Sequence, residues 1–176
     1  MKPRACAIAV LAISACLAIG WLSGYSLAIN SSPSMPRGMY ALKPLQPPAP
    51  GQVVSACIPP VHAGVYATRG YMPPSPACPS GLAAVLKPVV ATEGDTVAIS
   101  ADGVHVNGVL LNNSRVAPTD RQGLPMTHLA LGWQRQLGPG EVFLLATHIE
   151  RSLDSRYYGP LTLADLRGIA APVITF

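Results

Sequence analysis

Apolar residues are distributed very differently in the two parts of this chain. Residues 5–29 contain no charged side chain, and about 20 apolar residues are enough for a helix to cross a bilayer. Lys2 and Arg4 precede this stretch, and positively charged flanks of a membrane segment stay on the cytoplasmic side. The pattern therefore predicts one N-terminal transmembrane helix within residues 1–29, anchored in the inner membrane, and a periplasmic domain over residues 30–176.

The same segment also fits a signal peptide that is removed from the mature protein. Residues 26–28 read Ser-Leu-Ala, which places small side chains at the spacing used for cleavage after Ala28. The length of the apolar stretch favours a retained anchor. We therefore take the anchor as the leading interpretation and cleavage as the alternative.

Beyond residue 30, short apolar runs are separated by turn-forming residues. The 19 Pro and 16 Gly residues are spread along the chain, which favours many short strands over a helical bundle. Asn107-Gly108, between two short apolar runs, is a strong hairpin signal. The predicted strands cover residues 39–42, 52–58, 82–91, 96–99, 104–106, 109–111, 141–146 and 169–176. The domain is therefore predicted to be mainly β, with antiparallel, barrel-like sheets.

Three other stretches lack a strand pattern. Residues 59–81 form a Pro/Gly-rich excursion, and residues 112–138 are long and irregular. Loops of that length are usually functional or mobile. Residues 163–167 predict a short helical turn in which Asp165 closes a local hydrogen bond.

The overall composition limits the classes of function. A length of 176 residues suits one domain plus an anchor. Charged residues make up only 11% of the chain, the net charge is +4, and no run of Lys and Arg forms a basic patch. We therefore expect no nucleic-acid partner, and nothing in the sequence predicts a cofactor.

Two of the four cysteines fall in the predicted periplasmic domain. Cys57 and Cys78 flank the Pro-rich excursion, and an oxidising compartment permits a disulfide between them. The alternative is a pair of free buried thiols. A zinc site with His62 is disfavoured because the sequence has no close Cys-x-x-Cys spacing, so we predict no metal.

A serine and a lysine are the leading candidates for chemistry. Ser34 follows the apolar segment closely, and a serine nucleophile needs an adjacent base. The sequence has no G-x-S-x-G or S-x-x-K motif, and the spacing of its four histidines selects none of them. Lys87 lies within an apolar run, where desolvation would lower the pKa of its amine and make it a base. The alternative is a lysine that extends from the strand into solvent.

Three separated stretches form an ordered set around these two residues. Residues 32–36 read Ser-Pro-Ser-Met-Pro, Lys87 is followed at 93–97 by Glu-Gly-Asp-Thr-Val, and residues 152–159 read Ser-Leu-Asp-Ser-Arg-Tyr-Tyr-Gly. A weaker fourth match is Gly-Gln-Val-Val at 51–54. In order and spacing these stretches resemble the conserved boxes of the type I signal peptidase family, which uses a Ser–Lys dyad. The resemblance implies a signal-peptidase type of β fold and a serine endopeptidase activity.

The resemblance also implies roles for individual residues. Ser34 would be the nucleophile, and Lys87 would be the general base and later the acid that protonates the leaving amine. Ser32 would offer its hydroxyl to the oxyanion beside the backbone N–H of Ser34. Ser152 would orient the lysine amine.

Asp154 and Arg156 would form a supporting ion pair, according to the same resemblance. The plainer interpretation is a surface pair worth less than about 1 kcal/mol. Their place in the third stretch favours the structural role.

Two positions depart from the family pattern. Pro88 follows the lysine where the family usually has Arg, and residues 146–148 read Ala-Thr-His where it usually has Gly-Asp-Asn. The chain also lacks the large extra β-domain of many bacterial leader peptidases. The departure at residues 146–148 affects the wall near the lysine rather than the dyad.

Residues 34–40, which read Ser-Met-Pro-Arg-Gly-Met-Tyr, look most like the conjugative-transfer signal peptidases of the TraF type. That resemblance implies a pilin precursor as substrate, cleaved and in some systems cyclised, and other conjugative transfer proteins as partners. One alternative is a housekeeping signal peptidase that removes secretory signals from preproteins. Another is a non-catalytic, membrane-anchored β module that assists assembly.

Overall fold

The computed structural model describes residues 24–176. Most of the predicted membrane anchor lies outside this range. Among the described residues, no helix is both long and apolar enough to cross a membrane. The strand β1 covers Ser26–Asn30, so the boundary predicted at residue 29 and the alternative cleavage position after Ala28 both fall within a strand.

Eleven strands and two short α-helices make up the described chain. They are, in order, β1 Ser26–Asn30, β2 Gly38–Lys43, β3 Val53–Ala56, α1 Ala63–Thr68, β4 Val85–Ala91, β5 Thr96–Ile99, β6 Val104–Val106, β7 Val109–Leu110, β8 Gln134–Gln136, β9 Glu141–Leu144, α2 Ser155–Tyr158, β10 Leu161–Thr162 and β11 Leu166–Thr175. Two 3-10 turns, Pro60–His62 and Leu163–Asp165, precede α1 and β11. The prediction of a mainly β domain is confirmed.

The strands form two sheets in which every pairing is antiparallel. The larger sheet has the order β1-β2-β11-β3-β4-β9-β10, and the smaller one has the order β7-β6-β5-β8. The predicted hairpin at Asn107-Gly108 joins β6 to β7, with φ of 50° at Asn107 and 81° at Gly108. These positive φ values are what a tight two-residue hairpin turn requires.

The core consists of three apolar clusters. The first lies beneath the larger sheet and includes Val54, Val89 and Leu144. The second lies between the sheets and includes Val97 and Phe143. The third is smaller and lies at the β2 side of the larger sheet: Tyr40, Leu42, Leu86 and Ala170.

Strand β4 is central in the larger sheet, between β3 and β9. Pro88 lies in this strand although proline cannot donate to a ladder and usually occurs at sheet edges or bulges. The strand is not at an edge, but the pairing of β4 with β9 shifts register between Val89 and Ala91. The irregularity therefore appears next to the proline within a central strand.

Gly38 allows β2 to lie close against β11. Its φ is 143°, and a Cβ at this position would lie 2.0 Å from the carbonyl oxygen of Ile174. No other residue fits this contact without moving the backbone. Gly38 therefore fixes the point at which the chain enters β2 after the turn that contains Ser34.

The excursion between β3 and β4 is held by a disulfide. Cys57 and Cys78 are bonded, with their Cα atoms 5.5 Å apart. The excursion includes α1, which the sequence did not predict because a six-residue helix gives little periodic signal. The predicted turn near residue 165 is present as the 3-10 turn Leu163–Asp165, where the Asp165 carboxylate accepts from the Thr162 N–H at 2.8 Å.

Candidate active site

Ser34 and Lys87 lie side by side, although 53 residues separate them along the chain. Ser34 belongs to the turn of residues 31–36 between β1 and β2, called here the serine turn, and Lys87 lies in the middle of β4. The Lys87 Nζ donates a hydrogen bond to the Ser34 Oγ. Ser34 is 2% exposed and Lys87 is 4% exposed, so the pair is shielded from solvent.

The position of Lys87 in its strand explains its burial. Side chains alternate between the two faces of a strand, so Lys87 shares a face with Val85 and Val89. Val89 belongs to the first apolar cluster, and Val85 packs against it. The alternative in which Lys87 extends into solvent is wrong, because the sheet holds its stem among buried neighbours.

Burial also changes the acidity of the lysine. Desolvation disfavours the charged ammonium and lowers the pKa of Lys87 to about 8, against an ordinary 10.5. The Asp154 carboxylate opposes this shift and the Arg156 guanidinium adds to it. A substantial fraction of the amine is therefore neutral near pH 8, which is the form that accepts a proton.

Ser32 lies beside Ser34 in the serine turn. The two hydroxyl oxygens are 2.9 Å apart, and the Ser34 N–H donates to the Ser32 Oγ at 3.3 Å. The hydroxyl of Ser32 and the N–H of Ser34 thus lie together next to the Ser34 Oγ. This is the pair of donors that the resemblance proposed for an oxyanion.

Ser152 lines the same cleft as Ser34 and Lys87. It is buried, yet within residues 24–176 its Oγ has no hydrogen-bond partner. The hydrogen bond to the lysine amine that the resemblance implied is therefore not formed here. The amine donates to the Ser34 Oγ instead.

Asp154 and Arg156 are a buried pair rather than a surface pair, since both have no exposed surface. The guanidinium contacts the carboxylate with two parallel hydrogen bonds, from Nε at 2.8 Å and from Nη2 at 2.9 Å. Such bidentate pairs fix the geometry of both groups. The interpretation of a solvated surface pair is wrong because α2 places both residues inside the molecule.

The same ion pair ties several segments together. Arg156 donates to the carbonyl oxygens of Arg115 at 2.6 Å and Ser152 at 3.2 Å. Asp154 caps the N-terminus of α2 and also accepts from the Ala146 N–H at 3.3 Å. The pair therefore connects two segments: the chain after β9, which forms one wall of the cleft, and the irregular segment before β8.

The cleft has a volume of about 520 Å³. Its lining residues come from the serine turn, the segment 69–73, the start of β4, the segment 117–126 and the segment 149–153. Across its far wall, the Tyr71 hydroxyl donates to the Asp120 carboxylate, and the Arg69 guanidinium lies 3.7 Å from the same carboxylate. The cleft thus runs past Ser34 and Lys87.

The signal peptidase family, peptidase S26, matches residues 3–175. The chain belongs to this family. The match extends over the serine turn, the lysine strand and the stretch from Ser152 to Gly159.

Several curated relatives are conjugation proteins. The chain is 32% identical over 179 residues to a probable conjugal transfer protein TraF of Sinorhizobium fredii, covering 99% of this chain and 91% of the relative. It is 35% identical over 173 residues to a conjugal transfer protein TraF of Agrobacterium fabrum, covering 96% and 93%. It is 34% identical over 151 residues to a plasmid transfer protein TraF of Escherichia coli, covering 84% and 82%.

A solved structure also matches. The crystal structure of a signal peptidase I from Enterococcus faecalis V583 is 19% identical, with a TM-score of 0.38, and covers 71% of this chain and 97% of that one.

The two departures from the family pattern have structural partners. Pro88 offers its carbonyl oxygen to the Leu145 N–H at 3.1 Å, so the residue after the lysine still joins β4 to the end of β9. Ala146, where the family usually has Gly, donates its N–H to Asp154. Both positions therefore support the wall near the lysine through their backbone atoms.

None of the residues that line the cleft within 24–176 is a histidine. The His62 ring stacks on Tyr66 with centroids 5.6 Å apart. Over the same residues, no group of three or more His, Cys, Asp and Glu side chains is arranged to hold a metal.

Sequence reasoning missed Asn30, the last residue of β1. Asn30 is 8% exposed. Its side chain forms hydrogen bonds with backbone atoms of Ser32, Met35 and Pro36 in the serine turn. The available signal was an Asn two residues before Ser32, since Asn side chains accept from the N–H two residues on. The Tyr71–Asp120 contact was also missed, because 49 residues separate the partners and no local pattern reports such a pair.

Proposed function

We propose that the protein is a membrane-anchored serine endopeptidase that acts in conjugation by cleaving a pilin precursor at the periplasmic face of the inner membrane. The observation that carries the proposal is the buried hydrogen bond between Lys87 and Ser34 in an open cleft. Membership of the signal peptidase family and the transfer-protein names of the relatives support it. Those names favour a precursor used in conjugation over general secretory preproteins, and other conjugative transfer proteins are the partners we propose.

The proposed reaction begins with proton transfer. The neutral Lys87 amine accepts the hydroxyl proton of Ser34, and the Ser34 Oγ attacks the carbonyl carbon of the scissile peptide bond. The Ser34 N–H and the Ser32 hydroxyl donate to the oxyanion of the tetrahedral intermediate. The intermediate collapses when the Lys87 ammonium protonates the leaving amine, which leaves an acyl-enzyme on Ser34.

The second half of the reaction needs an acceptor. Lys87 removes a proton from water or from a peptide amine, and that nucleophile attacks the ester carbonyl. The bond between the acyl carbon and the Ser34 Oγ then breaks, and the Lys87 ammonium returns a proton to the Ser34 Oγ. An amine held close to the acyl group has a high effective concentration and competes well with water. Attack by water gives a linear product, whereas attack by the amine of the same chain gives a cyclic one.

Two observations support this enzyme over a non-catalytic assembly module. Ser34 and Lys87 both line the cleft, as a peptidase requires. Lys87 also has its pKa lowered to about 8 by burial, and a perturbed lysine in a cleft is typical of a functional site.

Co-expression of the pilin precursor from the same transfer region tests the proposal. Wild-type protein should remove a peptide from the precursor, as measured by intact mass spectrometry, and a product lighter by one further water would be cyclic. Ser34→Ala and Lys87→Ala should each abolish processing while the protein still accumulates in the membrane.

Matched controls come from the same chain. Ser26→Ala alters an exposed serine of β1 that does not line the cleft, and Lys43→Ala alters an exposed lysine of β2; both should process normally. Processing by Ser34→Ala or Lys87→Ala would overturn the dyad. If the wild-type protein leaves the pilin unchanged but processes secretory precursors, the housekeeping alternative is correct.

A further inference from the structure

The Asn30 carboxamide contacts the serine turn at four backbone positions. Its Nδ2 lies 2.9 Å from the carbonyl oxygen of Ser32, and 3.0 Å from those of Met35 and Pro36. Its Oδ1 accepts from the Ser32 N–H at 3.1 Å. The Nδ2 has two hydrogens for three carbonyls, so one hydrogen is shared between two of them. The Nδ2 and the Oδ1 are thus both hydrogen-bonded to backbone atoms no more than six residues further along the chain.

The serine turn needs such a partner because it contains two prolines. Pro33 and Pro36 have no backbone N–H, so the turn has few donors with which to satisfy its own carbonyls. The Asn30 Nδ2 supplies the missing donors from one point.

These contacts hold two peptide planes that bracket Ser34 in the turn. The Ser32 carbonyl belongs to the Ser32–Pro33 peptide and the Met35 carbonyl to the Met35–Pro36 peptide, and both point at Asn30. Between these two held planes, the Ser34 N–H lies next to the Ser32 hydroxyl. Rotation of either held plane would shift the short segment between them and move the donors away from the position where an oxyanion would form.

We propose that Asn30 is the positioning residue of the nucleophile, holding the serine turn so that the Ser34 Oγ meets Lys87 and the Ser34 N–H and Ser32 hydroxyl face the oxyanion. This inference rests on the proposed peptidase function. Asn30 touches neither the reacting atoms nor Lys87, and it acts through the backbone of the turn.

The role is separable from holding β1 in the sheet. β1 pairs with β2 through its backbone, including the register pair of Asn30 with Gly38. The far end of the turn has a second support, since the Tyr40 hydroxyl donates to the Pro36 carbonyl at 2.7 Å. Loss of the carboxamide should therefore loosen residues 32–35 first and leave the strands in place.

Asn30→Leu in the full-length protein tests the inference, because leucine has nearly the same size and no charge. The substrate is a peptide that spans the cleavage position found by mass spectrometry of the processed pilin. We expect kcat to fall about 100-fold, the loss that misplacement of reacting groups or of one oxyanion donor produces. KM should change less than about threefold, since Asn30 is not proposed to bind the substrate.

The pH profile distinguishes positioning from general loosening. If only the turn moves, Lys87 keeps its buried surroundings and its lowered pKa of about 8. The kcat/KM of the variant should then still rise with pH near 8. If the variant instead admits water to the lysine, the rise moves towards 10.5, the ordinary lysine value. The second result would overturn the inference.

Two further variants keep the test decisive. Asn30→Asp retains the acceptor for the Ser32 N–H and removes the donors to the carbonyls, so its kcat should also fall. This variant provides the test if Asn30→Leu does not fold. Ser114→Ala removes a buried side chain that bonds Val104 and Leu111 in the smaller sheet; it should lower stability and leave kcat unchanged. A kcat for both Asn30 variants within threefold of wild type would contradict the proposal, as would a loss that appears only in KM.

The crystal structure of Asn30→Leu gives an answer that needs no substrate. The separation of the Ser32 and Ser34 hydroxyl oxygens, 2.9 Å in the native protein, should increase. An unchanged separation together with an intact Lys87–Ser34 contact would overturn the inference. If the native protein cleaves no precursor, the proposed function fails while this geometric result still stands.

Discussion

The chemistry of the candidate site depends on one residue, Lys87, whose burial is unfavourable for folding. Lys87 is 4% exposed, and its side chain shares a strand face with residues of the first apolar cluster. Burial raises the free energy of the charged ammonium relative to the neutral amine, and the lowered pKa measures that cost. The same desolvation that destabilises the charged lysine supplies a neutral amine near neutral pH.

We expect peptidase activity to rise with pH through about 8. The pKa of Lys87 is lowered to about 8, and only its neutral amine accepts the Ser34 proton. The pH dependence of kcat/KM reports the pKa of the free enzyme. A profile that is flat between pH 6 and 10, or one that falls across pH 8, would contradict the assignment of Lys87 as the base.

Lys87→Met should be inactive and more stable than wild type at pH 7. Because the folded pKa of about 8 lies below the ordinary 10.5, the unfolded chain binds more protons between these values. The lysine therefore costs stability below pH 8, and wild-type stability should rise on the order of 3 kcal/mol between pH 8 and 10.5.

We compare the free energies of unfolding of wild type and Lys87→Met, measured by urea denaturation at pH 7 and pH 10. Their difference cancels the titration of groups that the two proteins share, and it should shrink at the higher pH. Lys43→Met, at an exposed position, is the matched control and should show no such change. A Lys87→Met variant less stable than wild type at pH 7 would contradict the prediction.

At the scale of single elements, α2 and its flanking residues organise the wall behind the lysine. Helix α2 has only four residues, too few to be stable by itself. The buried Asp154–Arg156 pair and the bond from the Leu144 N–H to the Ser155 Oγ at 2.9 Å hold it in place. The sequence stretch from residue 152 therefore acts as a structural connector.

Arg156→Met should destabilise the protein by about 3–5 kcal/mol, because it leaves the Asp154 carboxylate buried without its partner. Exchanging both residues, as Asp154→Leu with Arg156→Met, should recover part of the loss, since no buried charge remains. Chemical denaturation of the two single variants and the double variant gives the coupling energy. Arg135→Met, which breaks an exposed pair with Glu141, should change stability by less than about 1 kcal/mol. Equal losses for Arg156→Met and Arg135→Met would show that burial of the pair is unimportant.

At the scale of the whole molecule, the fold joins distant segments around one cleft. The serine turn, the centre of β4 and the segments before and after α2 each supply part of its lining. The wall formed by residues 69–73 belongs to an excursion closed by the disulfide between Cys57 and Cys78. The disulfide thus ties the excursion that carries this wall to the end of β3.

Replacing both Cys57 and Cys78 with Ala should lower stability by about 3 kcal/mol, the value for a closed loop of this length. The loss should appear as a lower midpoint in urea, and reduction of the wild-type protein should produce a similar shift. An effect confined to the excursion would appear as faster proteolysis within residues 58–77 with little change in the midpoint. No change in either measurement would contradict a stabilising role for the disulfide.

The local strand pattern predicted most of the sheet. The segments around residues 53–56, 85–91, 96–99 and 141–144 form strands because their apolar runs are bounded by turn residues. Strand β8 was missed because all three of its residues are polar and exposed. Strand β1 was missed because its apolar residues continue the predicted membrane segment, and periodicity cannot separate the two.

The sequence by itself determined the β class, the hairpin at Asn107-Gly108 and the residue types suited to a Ser–Lys peptidase, because turn chemistry and strand alternation are local properties. Only the tertiary structure decided that Lys87 is buried against Ser34 and that Asp154 and Arg156 lie inside the molecule. Each of these depends on contacts between segments far apart in the chain or on the exclusion of water. Desolvation, which lowers the pKa of Lys87, arises only when the sheet closes around the side chain.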